Sequence, residues 1–155
     1  MVKLKPGDHA PEISLSDGRG RPFRLSTLRG AKNAVVFFYP RDNGVVCTRE
    51  ACAFRDAFEE FVSLGTVVIG ISPNDAASHR RFALQWQLPF TLLTDPGRIV
   101  HRAYGVGMRW ILLRDRVTFV IDREGIIRSV TRNLIDAQVH VRGALDLLER
   151  RQRRV

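Results

Sequence analysis

The sequence predicts an α/β fold: a central mixed β-sheet flanked by helices, with an added N-terminal β-hairpin. Two observations carry this. Short continuous apolar runs, the signature of buried strands, alternate along the chain with apolar residues at helical spacing. The last two runs are separated only by Asp122-Arg-Glu-Gly125, a turn signal that predicts a hairpin. No repeat, low-complexity tract or long linker divides the 155 residues, so one domain is expected over 1–155.

The elements follow in order. Residues 13–15 and 23–25 flank Asp17-Gly-Arg-Gly20 and predict the N-terminal hairpin. Residues 34–38 and 66–71 are apolar runs of strand length, and 91–94 is a weaker third strand ended by Asp95-Pro-Gly97. Residues 117–121 and 126–131 form the closing hairpin. Between them, Cys47, Ala51, Phe54, Phe58 and Phe61 recur at helical spacing, which predicts a helix beginning at the first thiol. A second helix is expected over 75–87, started by Ser72-Pro-Asn-Asp75 and packing Phe82 and Trp86. A third starts near Asp136 and uses Val141, Ala144, Leu145 and Leu148, with Gly143 weakening it slightly. This order suits a thioredoxin-like core.

Composition narrows the function. Hydrophobic content of 45 % and charged content of 26 % are those of an ordinary globular protein. No apolar run approaches the roughly 20 residues that span a bilayer, and Met1-Val-Lys-Leu-Lys-Pro-Gly-Asp8 has no apolar signal-peptide core. The expectation is a cytoplasmic protein with no membrane partner. The net charge of +9 lies partly in Glu149-Arg-Arg-Gln-Arg-Arg-Val155. Arginines there complement the negative end of a helix dipole, and no nucleic-acid-binding motif accompanies them. The tail is read as a solvated helix end, without specific nucleic-acid binding.

The most informative feature is the cysteine pair. Cys47 and Cys52, the only cysteines, are five residues apart. Two cysteines cannot make a disulfide framework, so a close pair in a reducing compartment points to catalysis or metal binding. A thiol at a helix N-terminus faces unpaired N–H groups and the positive end of the dipole, which favour the nucleophilic thiolate. On an intact helix, residues five apart are separated by about 140° and about 7.5 Å of rise, hence by roughly 8–9 Å between Cα atoms. That exceeds the ~7 Å limit for a disulfide. Bonding the two requires unwinding the first turn, so the pair cannot work as a tight C-x-x-C motif. An attack cysteine and a second thiol that condenses with it after oxidation and local unfolding fit better.

Several runs together resemble the peroxiredoxin Q (bacterioferritin-comigratory protein) branch of the peroxiredoxins. They are Lys5-Pro-Gly-Asp-His-Ala-Pro11, Phe38-Tyr-Pro-Arg-Asp42, Cys47-Thr-Arg-Glu-Ala-Cys-Ala-Phe-Arg-Asp56, Gly70-Ile-Ser-Pro73, Leu88-Pro-Phe-Thr-Leu-Leu-Thr-Asp-Pro96 and Arg116-Val-Thr-Phe-Val-Ile-Asp122. The resemblance covers nearly the whole chain. It implies a thiol-dependent peroxidase, active on hydrogen peroxide and organic hydroperoxides, with no metal, haem or flavin. Cys47 falls on the peroxidatic position and Cys52 on the resolving one. Pro40 matches the proline that opens the active-site loop. Arg116 matches the arginine aimed at thiolate and peroxide, chosen over Arg109 and Arg114 by its register before Val117-Thr-Phe119. Glu50 matches an acid that helps hold that arginine, although it is also a plain first-turn acid. The implied partners are a peroxide and thioredoxin or a glutaredoxin-like reductant, and the implied assembly is a monomer or weak homodimer.

The chemistry of the residues agrees. An unperturbed thiol with pKa ~8.5 is about 3 % ionised at pH 7, and one near ~6 is about 90 % ionised. Helix-end N–H groups and an arginine can supply such a shift and stabilise charge on a departing oxygen. One departure stands out. Gly44 occupies the position of the family's threonine, whose hydroxyl bonds the peroxide, and Val45-Val46 replaces a proline-glycine pair. The substrate-binding positions are therefore Gly44, Val46 and Arg116, with one donor missing.

Other residues carry weaker signals. Thr48 lines the first turn, and Phe38 and Tyr39 either wall the pocket or pack the core. His79, beside Arg80 and Arg81, reads as a surface histidine. His9, His101 and His140 show no ligand spacing. Trp86 and Trp110 read as packing or surface aromatics, and the segment Gly105-Val-Gly-Met-Arg-Trp110, with Met108, as a loop near the active-site mouth. The alternatives to a peroxidase are a thiol–disulfide oxidoreductase, a copper chaperone using both thiols and a histidine such as His140, and a basic binding protein.

Overall fold

The computed structural model describes residues 3–107 and 116–154. The expected positions of Met108, Arg109, Trp110 and Arg114 lie outside the described residues.

Seven strands join one sheet in the order β2-β1-β5-β4-β3-β6-β7. They are β1 (Ser14–Asp17), β2 (Pro22–Arg24), β3 (Asn33–Phe38), β4 (Thr66–Ser72), β5 (Thr91–Thr94), β6 (Val117–Ile121) and β7 (Ile127–Arg132). β3, β4 and β5 are parallel neighbours, while β1, β2, β6 and β7 pair antiparallel. The sheet is mixed, as expected, because helical crossovers return the central strands and tight turns return the outer ones. The N-terminal hairpin pairs Ser14 with Arg24 and Leu15 with Phe23, one residue off the expected span.

The helices are α1 (Val45–Asp56), α2 (Phe58–Ser63), α3 (Ala76–Trp86), α4 (Ile99–Ala103) and α5 (Ala137–Arg153). α3 and α5 start where sequence puts them, because Asp75 and Asp136 cap them by accepting from the Ser78 and Gln138 N–H groups. The helix expected from Cys47 to Phe61 differs in two ways. It begins at Val45, with Gly44 as its N-cap, and it breaks at Ala57, where ψ moves to 6°. Phe54 and Phe61 stay fully buried, while Phe58 packs against the core only in part. α4, only five residues long, gave no readable period.

The alternating faces of β3 organise two cores. Val35, Phe37 and Tyr39 face α1, α2, α3 and α5, together with Phe54, Phe61, Phe82 and Leu145. Ala34, Val36 and Phe38 face the α4 side, with Val100, Tyr104 and Phe119. α1 is held to the first face by Phe37, whose ring stacks on Phe54 at 4.6 Å and 13°. Gly70 makes room for it, since a Cβ there would lie 2.7 Å from the Phe37 ring. Phe38 and Tyr39 are therefore core aromatics rather than exposed pocket walls.

Candidate active site

Sheet register gathers the site. β6 runs antiparallel to β3 and pairs Phe38 with Val117. Arg116, one residue earlier, thus arrives where β3 ends and the Pro40-Arg41-Asp42 loop begins. That loop leads through Asn43, in the left-handed region at φ 62°, to Gly44 and α1. The first bond of α1 runs from the Thr48 N–H to the Gly44 carbonyl at 2.8 Å. Cys47 lies in this first turn with 1 % of its surface exposed. Pro40 and Val46 are half-buried beside it, and Val45 at the helix start is 70 % exposed.

The Arg41 backbone N–H and the Arg116 guanidinium lie close enough to the Cys47 sulfur to favour its thiolate. Burial nevertheless pushes the thiol up. Arg116 and the Arg41 N–H pull it down, and ionised Glu50 would push it further up. The net direction runs against the expectation that helix-end N–H groups and an arginine favour the thiolate, because burial of the sulfur outweighs those donors. Arg116 Nη1 is buried and has no hydrogen-bond partner among the described residues, so one donor remains for an incoming oxygen.

Glu50 is three residues from Cys47 on the same face of α1. It does not hold Arg116 by a hydrogen bond: both carboxyl oxygens are buried without a partner among the described residues. Burial pushes its pKa up to about 8, against the opposing charge of Arg116. It is a protonated acid at neutral pH. His140 Nε2 lies 3.5 Å from Oε2 but donates to the Asn133 carbonyl at 2.9 Å. His140 Nδ1 is 2.7 Å from the Thr118 hydroxyl. With Nε2–H committed to a carbonyl, the neutral ring accepts from Thr118. Both nitrogens are engaged, which removes His140 as a ready copper ligand.

Cys52 lies on the same unbroken helix, half-buried, and both cysteines are free thiols. Burial pushes its thiol up, with Arg55 opposing. Both thiols sit on one intact helix, where residues five apart lie beyond the Cα separation of a disulfide.

Sequence reasoning missed the buried histidines. His79 is not a surface residue. It is buried, with Nδ1 2.7 Å from Asp42 Oδ2 and Nε2 3.1 Å from the Leu93 carbonyl. Its spacing to Phe82 and Trp86, three and seven residues, puts it on their apolar stripe, and that was the available signal. His101 is buried against Asp95. His140 precedes Val141 and shares a face with Ala144, a position that also marks it as inward.

A model of the AhpC/TSA family matches residues 6–130. The chain is 40 % identical over 150 residues to "Peroxiredoxin Q, chloroplastic" of Sedum lineare, covering 96 % of this chain and 80 % of that one. It is also 40 % identical to the protein of the same name from Arabidopsis thaliana, over 96 % of this chain and 69 % of that one. The crystal structure of peroxidoxin BcpB from Mycobacterium tuberculosis superposes with a TM-score of 0.86 at 33 % identity, covering 94 % and 97 % of the two chains. The plant names place those relatives in the chloroplast, and this corrects the cytoplasmic expectation. With this fold, these motifs and these relatives, the chain belongs to the AhpC/TSA family, in its peroxiredoxin Q branch, and is a thiol-dependent peroxidase.

Proposed function

We propose that Cys47 is the peroxide-reducing thiol and Cys52 the thiol that resolves it, within a single domain over 1–155. The observation that carries this is the convergence of the Arg116 guanidinium and the Arg41 N–H on one buried sulfur, with a further Arg116 donor unspent. The Cys47 thiolate attacks one peroxide oxygen. The O–O bond breaks, the sulfur gains that oxygen as sulfenic acid, and the departing oxygen takes a proton as water or alcohol. Arg116 stabilises the charge on the departing oxygen. The first turn of α1 then unwinds, and the Cys52 thiol attacks the Cys47 sulfur and releases water. An external dithiol protein of the thioredoxin or glutaredoxin type reduces the disulfide.

Pro40 opens the loop that follows β3, and Glu50 lies beside the sulfur as an uncharged acid at neutral pH. Gly44 and Val46 flank the approach to the sulfur. The assembly in this reading is a monomer or weak homodimer. The test is peroxide-dependent NADPH oxidation with thioredoxin and its reductase. Turnover is expected to vanish in Cys47→Ser. In Cys52→Ser a trapped Cys47 sulfenic acid should persist. Turnover surviving in Cys47→Ser would reject the assignment.

A further inference from the structure

A buried polar cluster lies behind the loop between β3 and α1. Asp42 accepts the Tyr39 hydroxyl at 2.6 Å and the Ser78 hydroxyl at 2.8 Å, and faces His79 Nδ1 at 2.7 Å. Its backbone N–H donates to Asn74 Oδ1 at 2.8 Å, and Asn74 in turn accepts from the Ser72 hydroxyl at 3.0 Å. His79 Nε2 reaches the Leu93 carbonyl at 3.1 Å. A carbonyl only accepts, so Nε2 carries a proton, and a second proton lies between Nδ1 and the carboxylate. The cluster thus ties the loop to β4, β5 and α3 at once.

The consequence lies one residue upstream. Asp42 follows Arg41, whose side chain and the Cys47 sulfur both lie within 3.6 Å of a Cβ placed on Gly44, and whose backbone N–H favours the Cys47 thiolate. On the other side is Asn43, the left-handed residue that turns the chain into α1. Tyr39 is close enough to Cys47 for its phenol to feel the thiolate charge, and burial and Asp42 keep that phenol protonated. A backbone donor is effective only where its orientation is fixed. Arg41 is exposed, and among the described residues no side-chain bond of its own fixes it.

We propose that Asp42 and His79 are positioning residues for the peroxide reaction: the buried pair pins the loop so that the Arg41 N–H points at the Cys47 sulfur. This rests on Cys47 being the reactive thiol. Losing the pin loosens a hydrogen bond that favours the thiolate, so the thiol's pKa rises and the thiolate fraction at neutral pH falls. Arg116, Glu50 and Tyr39 also face the sulfur and stay in place.

The experiment uses Cys52→Ser as background, so that Cys47 is the only thiol. Iodoacetamide alkylation is followed against pH, and single-turnover reduction of hydrogen peroxide is measured at pH 7. In His79→Ala the alkylation midpoint is expected to move up by about one pH unit and the peroxide rate to fall about tenfold. His79→Asn places an N–H near the Nδ1 position and should restore most of both, which a purely packing role would not do. An unchanged midpoint in His79→Ala overturns the proposal, as does an equal loss in His79→Asn. Should His79→Ala fail to fold, Ser78→Ala removes one Asp42 donor at a half-buried position. A smaller upward shift there supports the proposal, and no shift rejects it. A parent protein that forms no sulfenic acid would instead reject the assignment of Cys47.

Discussion

Two of the three buried acid–histidine pairs among the described residues lie on opposite faces of the sheet, and they behave in opposite ways. On the α4 side, Asp95 accepts the Val100 and His101 backbone N–H groups at 3.0 and 2.8 Å and faces His101 Nδ1 at 2.7 Å. On the α1 and α5 side, Glu50 has no hydrogen-bond donor among the described residues, and the nearby His140 N–H is spent on a carbonyl. Burial pushes both acids up. At Asp95 the His101 side chain and the two backbone N–H groups overcome it and hold the carboxyl below its ordinary range. At Glu50 nothing does, and its pKa reaches about 8. Burial is shared, so the supply of donors decides the charge. The structural face spends its donors on an ionised staple at the start of α4. The face that holds Cys47 keeps an uncharged acid beside the sulfur, where a carboxylate would oppose the thiolate.

Removing the well-supplied acid should have the largest effect. Asp95→Ala strands three N–H donors in the core and is expected to cost about 3 kcal/mol in denaturant unfolding. A cost below about 1 kcal/mol would mean that those groups find other partners.

The donor-poor acid should respond with the opposite sign. The folded pKa of Glu50, about 8, lies above its ordinary 4.5. The folded state therefore binds the proton more tightly, and this stabilisation is complete below about pH 4.5 and lost as pH rises through 8. Glu50→Gln removes that loss. Its melting temperature should match the parent at pH 4.5 and exceed it at pH 8.5. Its peroxide rate should be near the parent's at pH 7 and higher at pH 9, where the parent's Glu50 carboxylate opposes the thiolate. A difference independent of pH would refute the protonated acid.

Adding a donor to the poor face is the smallest change. A Cβ at Gly44 would meet the Cys47 sulfur at 3.5 Å and Arg41 side-chain atoms at 3.6 Å, ordinary contact distances. The φ of −68° suits any residue. Gly44→Thr therefore places a hydroxyl beside the reacting sulfur and is expected to raise the peroxide rate about tenfold, the effect of one hydrogen bond made in the transition state. An equal or lower rate would show that the site works without that hydroxyl.

Much of this was legible in the chain itself. The spans 91–94 and 117–121, the hairpin turn at Asp122-Gly125 and the caps Asp75 and Asp136 follow from apolar runs and capping chemistry that act within a few residues. The placement of Cys47 and Cys52 on one helix was legible for the same reason, since five residues of helix fix the separation of the two thiols. Other features needed the fold. α1 breaks at Ala57 although the apolar period continues, because packing against β4 and the sheet overrides local propensity. His79 meets Asp42 across 37 residues, and Arg116 meets Cys47 only through the register of β6 on β3. The direction in which Cys47 and Glu50 titrate was likewise beyond the sequence. A motif fixes which groups are neighbours along the chain, but the cost of losing water, and the donors that repay it, are sums over everything the tertiary structure brings near.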